Sequence, residues 1–361
     1  MMMQTSWRVA MAFLTAAVAM VLIAADDAAD DGYGYGDAPA ATAAPAAAPE
    51  TAAPTDAPSI NLNQWHTPEP GEYLDYNQRE RLIQRGKLVY NKYCVGCHGE
   101  QGDGNGPAAE RLITKPRDFR TGIYKFRSTD SSSLPLDDDL HRTLTRGLAR
   151  VSMPAFPLLP EHDRIAVIQY IKHFYPKWDE EAPRRVKVFV PSPPHDLDDA
   201  QRILRGRVVY VAMQCGKCHG TDGQGTGATQ TQYVDAWGNE QKPFNFTRGN
   251  LKGGDNPQDI YRTFHTGLRS IMPAYNVTTL ASTNVDTFST QKEFLLPGED
   301  DKLKPVLSEF PATPGEVFTK MSESDREKLG VRNSWDLVAY IQSLRQNTST
   351  RAAVLGEPAK P

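Results

Sequence analysis

Cys94-Val95-Gly96-Cys97-His98-Gly99 and Cys215-Gly216-Lys217-Cys218-His219-Gly220 each set two thiols three residues apart with an imidazole directly after them, and these four cysteines are all the chain contains. A lone Cys-x-x-Cys can also be half of a zinc site or a redox-active dithiol. Here the histidine follows at both places, and no thiol is left for a disulfide, a second zinc half-site or a nucleophile. The pattern therefore reads as covalent attachment of haem c at two points. In that chemistry Cys94, Cys97, Cys215 and Cys218 add across porphyrin vinyl groups, and His98 and His219 become iron ligands.

The two motifs sit in a longer internal repeat, which sets the architecture. Arg205-Gly206-Arg207-Val208-Val209-Tyr210 precedes Cys215 as Arg85-Gly86-Lys87-Leu88-Val89-Tyr90 precedes Cys94, with one residue inserted. Lys115-Pro116-Arg117-Asp118-Phe119 answers to Lys242-Pro243-Phe244-Asn245-Phe246, and Asp139-Leu140-His141-Arg142-Thr143 to Asp259-Ile260-Tyr261-Arg262-Thr263. Ser152-Met153-Pro154-Ala155-Phe156 answers to Ile271-Met272-Pro273-Ala274-Tyr275, and Ile168-Gln169-Tyr170-Ile171-Lys172 to Val338-Ala339-Tyr340-Ile341-Gln342. From Asp75 the spacing predicts a helix with Leu82, Gly86 and Tyr90 on one face, running into Cys94. Glycine inside a helix costs about 1 kcal/mol against alanine, so Gly86 is read as a point of close approach by a second helix. The amphipathic stretch His162 to Ile171, with Ile165, Ile168, Tyr170 and Ile171 as its apolar side, supplies one.

A haem iron held by histidine needs a sixth ligand, and a soft thioether favours the ferrous state and raises the potential. Met153 lies 55 residues after His98, and Met272 lies 53 after His219. A methionine taken singly is more often a gap filler in a core. Its recurrence at one place in both repeats, each time before a stiffening proline, marks Met153 and Met272 as the iron ligands. Arg142 and Arg262, at equal places about ten residues before each methionine, are candidate partners for haem propionates, with a solvated surface role as the alternative. His66, His162, His173 and His195 have no counterpart in the other repeat, and His141 and His265 sit at non-equivalent positions. All six read as ordinary surface or core residues.

Composition bounds the rest. A chain of 361 residues with 39% hydrophobic content has room for two domains, and a formal charge of -4 supplies no basic field for nucleic acid. Arg8, the apolar run Val9 to Ala25, then Asp26 and Asp27 read as a secretory signal, or as an uncleaved membrane anchor over 9–25 at the lower limit of spanning length. Residues 26–62, rich in Ala, Pro and acids, read as a disordered tether. Export suits covalent haem, so a periplasmic place, or the outer face of the cytoplasmic membrane, is expected.

A helix with Gly and an aromatic, Cys-x-x-Cys-His-Gly, a Met-Pro loop and a closing helix with a Tyr-Ile pair together resemble class I cytochrome c, twice in tandem. The likeness covers roughly residues 75–176 and 198–346. It implies an all-α fold, first and last helices crossing at the glycine and aromatic, an enclosed haem with one exposed edge, and one-electron transfer. The stretch Pro116 to Thr129 is similar to cytochromes that serve membrane respiratory complexes. The expected organisation is a signal or anchor over 1–25, the tether over 26–62, domains over 63–180 and 198–350, a linker over 181–197 and a tail over 351–361. The second copy departs from the pattern by an insertion, about 276–333, in which a helix is expected around Ser322 to Leu329. Its apolar cluster Phe294 to Leu296 beside the acids Glu299 to Asp301 reads as a docking element for a redox partner, or as a surface elaboration.

Two function classes follow. One is an electron carrier, alone or within a membrane respiratory complex, with electrons passing between the two sites in one chain. The other is a dihaem enzyme such as a peroxidase, which requires an open iron position and acid-base residues above it. Equivalent methionines in both repeats favour the carrier.

Overall fold

A computed structural model of the protein describes residues 76–229, 233–235, 237–269 and 272–345. The expected signal or anchor, the tether, His66 and the tail over 351–361 lie outside these. Among the described residues there is no strand, only isolated bridges, and no helix is long and apolar enough to cross a membrane.

The first half opens with α1 (Tyr76–Tyr93), which leads through Cys94 into the single turn α2 (Val95–His98). α3 (Asp137–Arg146) and α4 (Glu161–His173) complete it, and the short α5 (Trp178–Glu181) closes its core with Trp178 against Tyr124. α4 crosses α1 at Gly86, where an added Cβ would lie 2.1 Å from the Ala166 carbonyl oxygen. That crossing explains why α4 buries Ala166 and Val167 completely while Ile165, on the apolar side by periodicity, is only partly covered. Tyr90 meets Tyr170 edge-on at 5.2 Å beside the crossing, and its hydroxyl donates to the Gly99 carbonyl at 2.7 Å.

The second half repeats this order. α6 (Ala200–Ala212) starts under an Asp199 side chain that accepts from the Arg202 amide, and α7 (Gly216–His219) is its haem-motif turn. α8 (Pro257–Thr266) answers to α3. The insertion folds as α9 (Val277–Ala281), α10 (Val285–Ser289) and α11 (Glu299–Leu307) before the closing helix α12 (Glu323–Arg345). The helix expected around Ser322 to Leu329 is thus the first part of α12 rather than a separate element. α12 crosses α6 at Gly206, 1.9 Å from an added Cβ to the Asp336 oxygen, and Tyr340 meets Tyr210 at 5.1 Å.

Both crossings carry an ion pair from the arginine that precedes the glycine, but not to the same place on the closing helix. Arg85 Nε donates to Asp163 at 2.6 Å, and Arg205 Nε to Asp336 at 2.8 Å. Counted from the crossing, Asp163 corresponds to Asn333. In the second half that position is buried and donates to the Leu280 carbonyl at 2.9 Å, so it serves the insertion.

The stretch between the halves is pinned rather than free. The Asp130 amide donates to the Val186 carbonyl at 3.0 Å and the Val188 amide to the Ser128 carbonyl at 2.8 Å, while Val190 and Leu197 pack on the second core. Direct contacts follow across the seam. Arg127, 2% exposed, donates to the Thr266 carbonyl at 2.7 Å, and Arg146 to Asp259 at 3.1 Å. Lys125 reaches Asp235 at 3.2 Å, and the Arg117 guanidinium lies 3.8 Å from the Trp237 ring centre. Each of these cations belongs to the first half.

Candidate functional site

Each Cys-x-x-Cys-His run is wound into a single helical turn, which puts both thiols and the imidazole on one wall. The His98 amide donates to the Cys94 carbonyl at 2.9 Å, and the His219 amide to Cys215 at the same distance. Gly99 and Gly220, at φ 76° and 80°, then turn the chain away in a left-handed conformation that suits glycine.

The two imidazoles are held alike. His98 Nδ1 lies 3.1 Å from the Arg117 carbonyl oxygen and His219 Nδ1 lies 3.0 Å from that of Phe244. Phe119 stacks on His98 at 4.5 Å and Phe246 on His219 at 4.4 Å. Burial lowers the pKa of both rings. A neutral ring that donates from Nδ1 to a carbonyl keeps the Nε2 lone pair for a metal, with the plane fixed by the stacked phenyl.

Met153 and Met272 stand on matching loops. The Leu148 amide donates to the Met153 carbonyl at 3.1 Å and the Leu268 amide to the Met272 carbonyl at 2.9 Å. Gly147 and Gly267, both at φ 65°, begin these loops, and a Cβ on either would meet the backbone of the Met-Pro-Ala run within 3 Å. Each Met-Pro loop is therefore folded back on the end of α3 or α8 in the same way.

Cys94, Cys97, His98 and Met153 open onto the same cavity as Cys215, Cys218, His219 and Met272, a continuous space of about 1050 Å³ that runs across the seam. This reaches beyond the roughly 300–1,000 Å³ usual for one small-molecule pocket. Its lining is mainly apolar, with Leu140, Leu144 and Ile171 from the first half and Ile260, Leu337 and Ile341 from the second. No three His, Cys, Asp or Glu side chains converge as a bare-ion site among the described residues, so the cysteine pairs do not assemble a zinc centre there. Thiol pairs, a neutral imidazole and a thioether around an apolar space fit a flat, covalently held haem.

Arg142 and Arg262 pair with aspartates of their own helices. Neither lines the cavity; each reaches back along its own helix to an aspartate, Arg142 to Asp139 at 2.7 Å and Arg262 to Asp259 at 2.5 Å. Asp139 and Asp259 are buried in the first turns of α3 and α8, so they hold the arginines at the seam, where both border one small cleft. The cations on the cavity wall are instead Arg117, Arg120, Lys125 and Lys252, together with Lys115 and Lys242. Burial lowers the pKa of Arg117 to about 10. Arg117 stood in the repeat as the partner of Phe244, but nothing in that match told that its carbonyl would hold a histidine. Of the histidines expected to be ordinary, His265 is buried against Tyr261 and Ser334, and His141 accepts from Arg164.

The insertion differs from expectation. Glu299 is 1% exposed and bound at 2.7 Å by the fully buried Arg207, while the Phe294 ring packs on Gly216 of α7 and its carbonyl accepts from Arg207. No residue of the insertion lines the cavity. Phe294 and Glu299 thus face the chain's own second half instead of forming a free docking patch.

Residues 81–171 match the family described as cytochrome C oxidase, cbb3-type, subunit III, and residues 203–279 match the family described as cytochrome c. Comparison with curated proteins gives no match. Among solved structures, a chain of the Kuenenia stuttgartiensis reducing HAO-like protein complex Kustc0457/Kustc0458 is 31% identical, with a TM-score of 0.55 over 73% of this chain and 96% of that one.

Proposed function

The chain belongs to the cytochrome c family, as two tandem domains, and on that premise we propose that it is a dihaem electron-transfer subunit of a larger redox complex. Haem c bound at each Cys-x-x-Cys-His turn supplies a reversible one-electron iron couple. Cys94 and Cys97 hold one group and Cys215 and Cys218 the other, with His98 and Met153, and His219 and Met272, as the ligand pairs. The single observation that carries the reading is the shared cavity, onto which all eight of these side chains open. Arg117 and Lys125 place positive charge on its wall and would be available to the carboxylate groups of the cofactors. The surrounding apolar side chains exclude water, so little reorganisation accompanies a change of charge.

The complex and its location are part of the proposal. The subunit III description of the first-half family and the two-protein title of the Kuenenia structure favour work within an assembly. We place the protein outside the cytoplasm, on the periplasmic side of the membrane, with residues 9–25 as signal or anchor. A spectroelectrochemical titration of the exported holoprotein tests the electron-transfer reading. Two one-electron steps are expected, and Met153→Ala and Met272→Ala should each move one of them to lower potential and abolish one sulfur-to-iron absorption band. A ferric protein with a high-spin, ligand-exchangeable site would instead point to a dihaem enzyme.

A further inference from the structure

The repeat supplies an internal comparison, because α1 and α6 are equivalent helices in one chain and only α6 has something packed on its outer side. Along α6, Arg207, Val208, Val211 and Ala212 are all buried, at 0–5% exposure, under α10 and α11 of the insertion. Their counterparts on α1 are Lys87, Leu88, Asn91 and Lys92, and every one is exposed, with Leu88 at 57%. These four follow one another at helical spacings that share a face. What covers the face in the second half has a definite chemistry. Phe294 and Leu295 bring apolar contact, the Phe294 carbonyl and the Glu299 carboxylate bind Arg207, and Leu303 and Val306 fill the space behind.

We infer that the outer face of α1 docks a different polypeptide carrying an apolar segment followed by a carboxylate, in the place that the insertion occupies on α6. Lys87 stands where Arg207 stands and offers the same charge to a carboxylate; Lys92 adds a second. Leu88 offers the apolar contact. The C-terminal end of the same helix reaches the first site, where Tyr93 and Ile113, 45% and 102% exposed, line the cavity beside Cys94. A mixed face of this kind, apolar residues among lysines, matches a transient contact of small area in which charge speeds the encounter. Electrons then enter or leave by the first half, while the second half is closed on this side by its own insertion.

The inference rests on the electron-transfer reading, and the test separates the two. Full-length holoprotein carrying Leu88→p-benzoylphenylalanine is illuminated in intact cells, with Lys302→p-benzoylphenylalanine on the exposed side of the insertion as the control. The expected adduct forms only at position 88, joins another polypeptide within an apolar run that precedes an Asp or Glu, and falls about tenfold when Lys87→Glu is added. No adduct at 88 would overturn the inference. So would an adduct to a second copy, to lipid or to this chain's own residues ahead of Tyr76, or one that Lys87→Glu leaves unchanged. Reduction of both sites by ascorbate in the same variants reports the electron-transfer reading independently.

Discussion

A buried imidazole that stays neutral is a sensitive reporter of the fold, and His265 is one. It stacks on Tyr261 at 4.1 Å, shares a 3.0 Å hydrogen bond with Ser334, and burial lowers its pKa to about 3. The unfolded chain binds this proton near the ordinary value of about 6.5, so full stability is present above that pH and is lost as the pH falls towards the folded value. The slope should approach about 1.4 kcal/mol per pH unit over that window. Denaturant titrations from pH 7 to 4 check this, and His265→Gln should flatten the curve. The cysteines, histidines and methionines could be marked in the sequence because their chemistry resides in the side chain and recurs at fixed spacing, and the structure brings them to one cavity. The carbonyls of Arg117 and Phe244 were not, because any residue provides a carbonyl and only the folded loop aims it. The pairing of Arg142 and Arg262 with Asp139 and Asp259 was open to a second reading in the sequence, because equal position in a repeat also follows from an equal aspartate in the helix's first turn.

Glycine at a helix crossing is an element-scale device with a measurable cost of replacement. At Gly86 alanine would gain about 1 kcal/mol of helix propensity but would drive a methyl into the Ala166 backbone, an overpacking that costs about 1–3 kcal/mol. Gly86→Ala should lower stability by up to about 2 kcal/mol net, and Gly206→Ala by at least as much, both read from thermal or denaturant midpoints of the holoprotein. A variant stabilised by the full helix-propensity gain, about 1 kcal/mol, would mean the helices do not cross there. The pair that fixes the insertion makes a second test. Glu299→Ala leaves Arg207 charged and buried, and should cost about 3–5 kcal/mol. The double variant Arg207→Met with Glu299→Leu should recover most of it, since neither charge is then stranded. The sequence marked Gly86 and its partner helix through periodicity. It hid the role of Glu299, because an acid beside two other acids looks solvated until its distant arginine is known.

Across the whole molecule the halves keep one plan and differ in what covers them. The seam is built by first-half cations on second-half acceptors, Arg127 on the Thr266 carbonyl and Arg146 on Asp259 among them, and Thr266 and Asp259 both belong to α8, which leads into the Met272 loop. The repeat gave away two equal units at the level of sequence, but no periodicity states how two units meet, so the shared cavity emerged only from the packed chain. The proposed function makes a definite demand on composition: each motif should hold its own covalent cofactor. Mass spectrometry of the exported chain under denaturing conditions, followed by peptide mapping, measures it. The account predicts a mass increase of two haems, one on the peptide that contains Cys94 and Cys97 and one on the peptide that contains Cys215 and Cys218. A chain that matures with one haem, or with none, would contradict it.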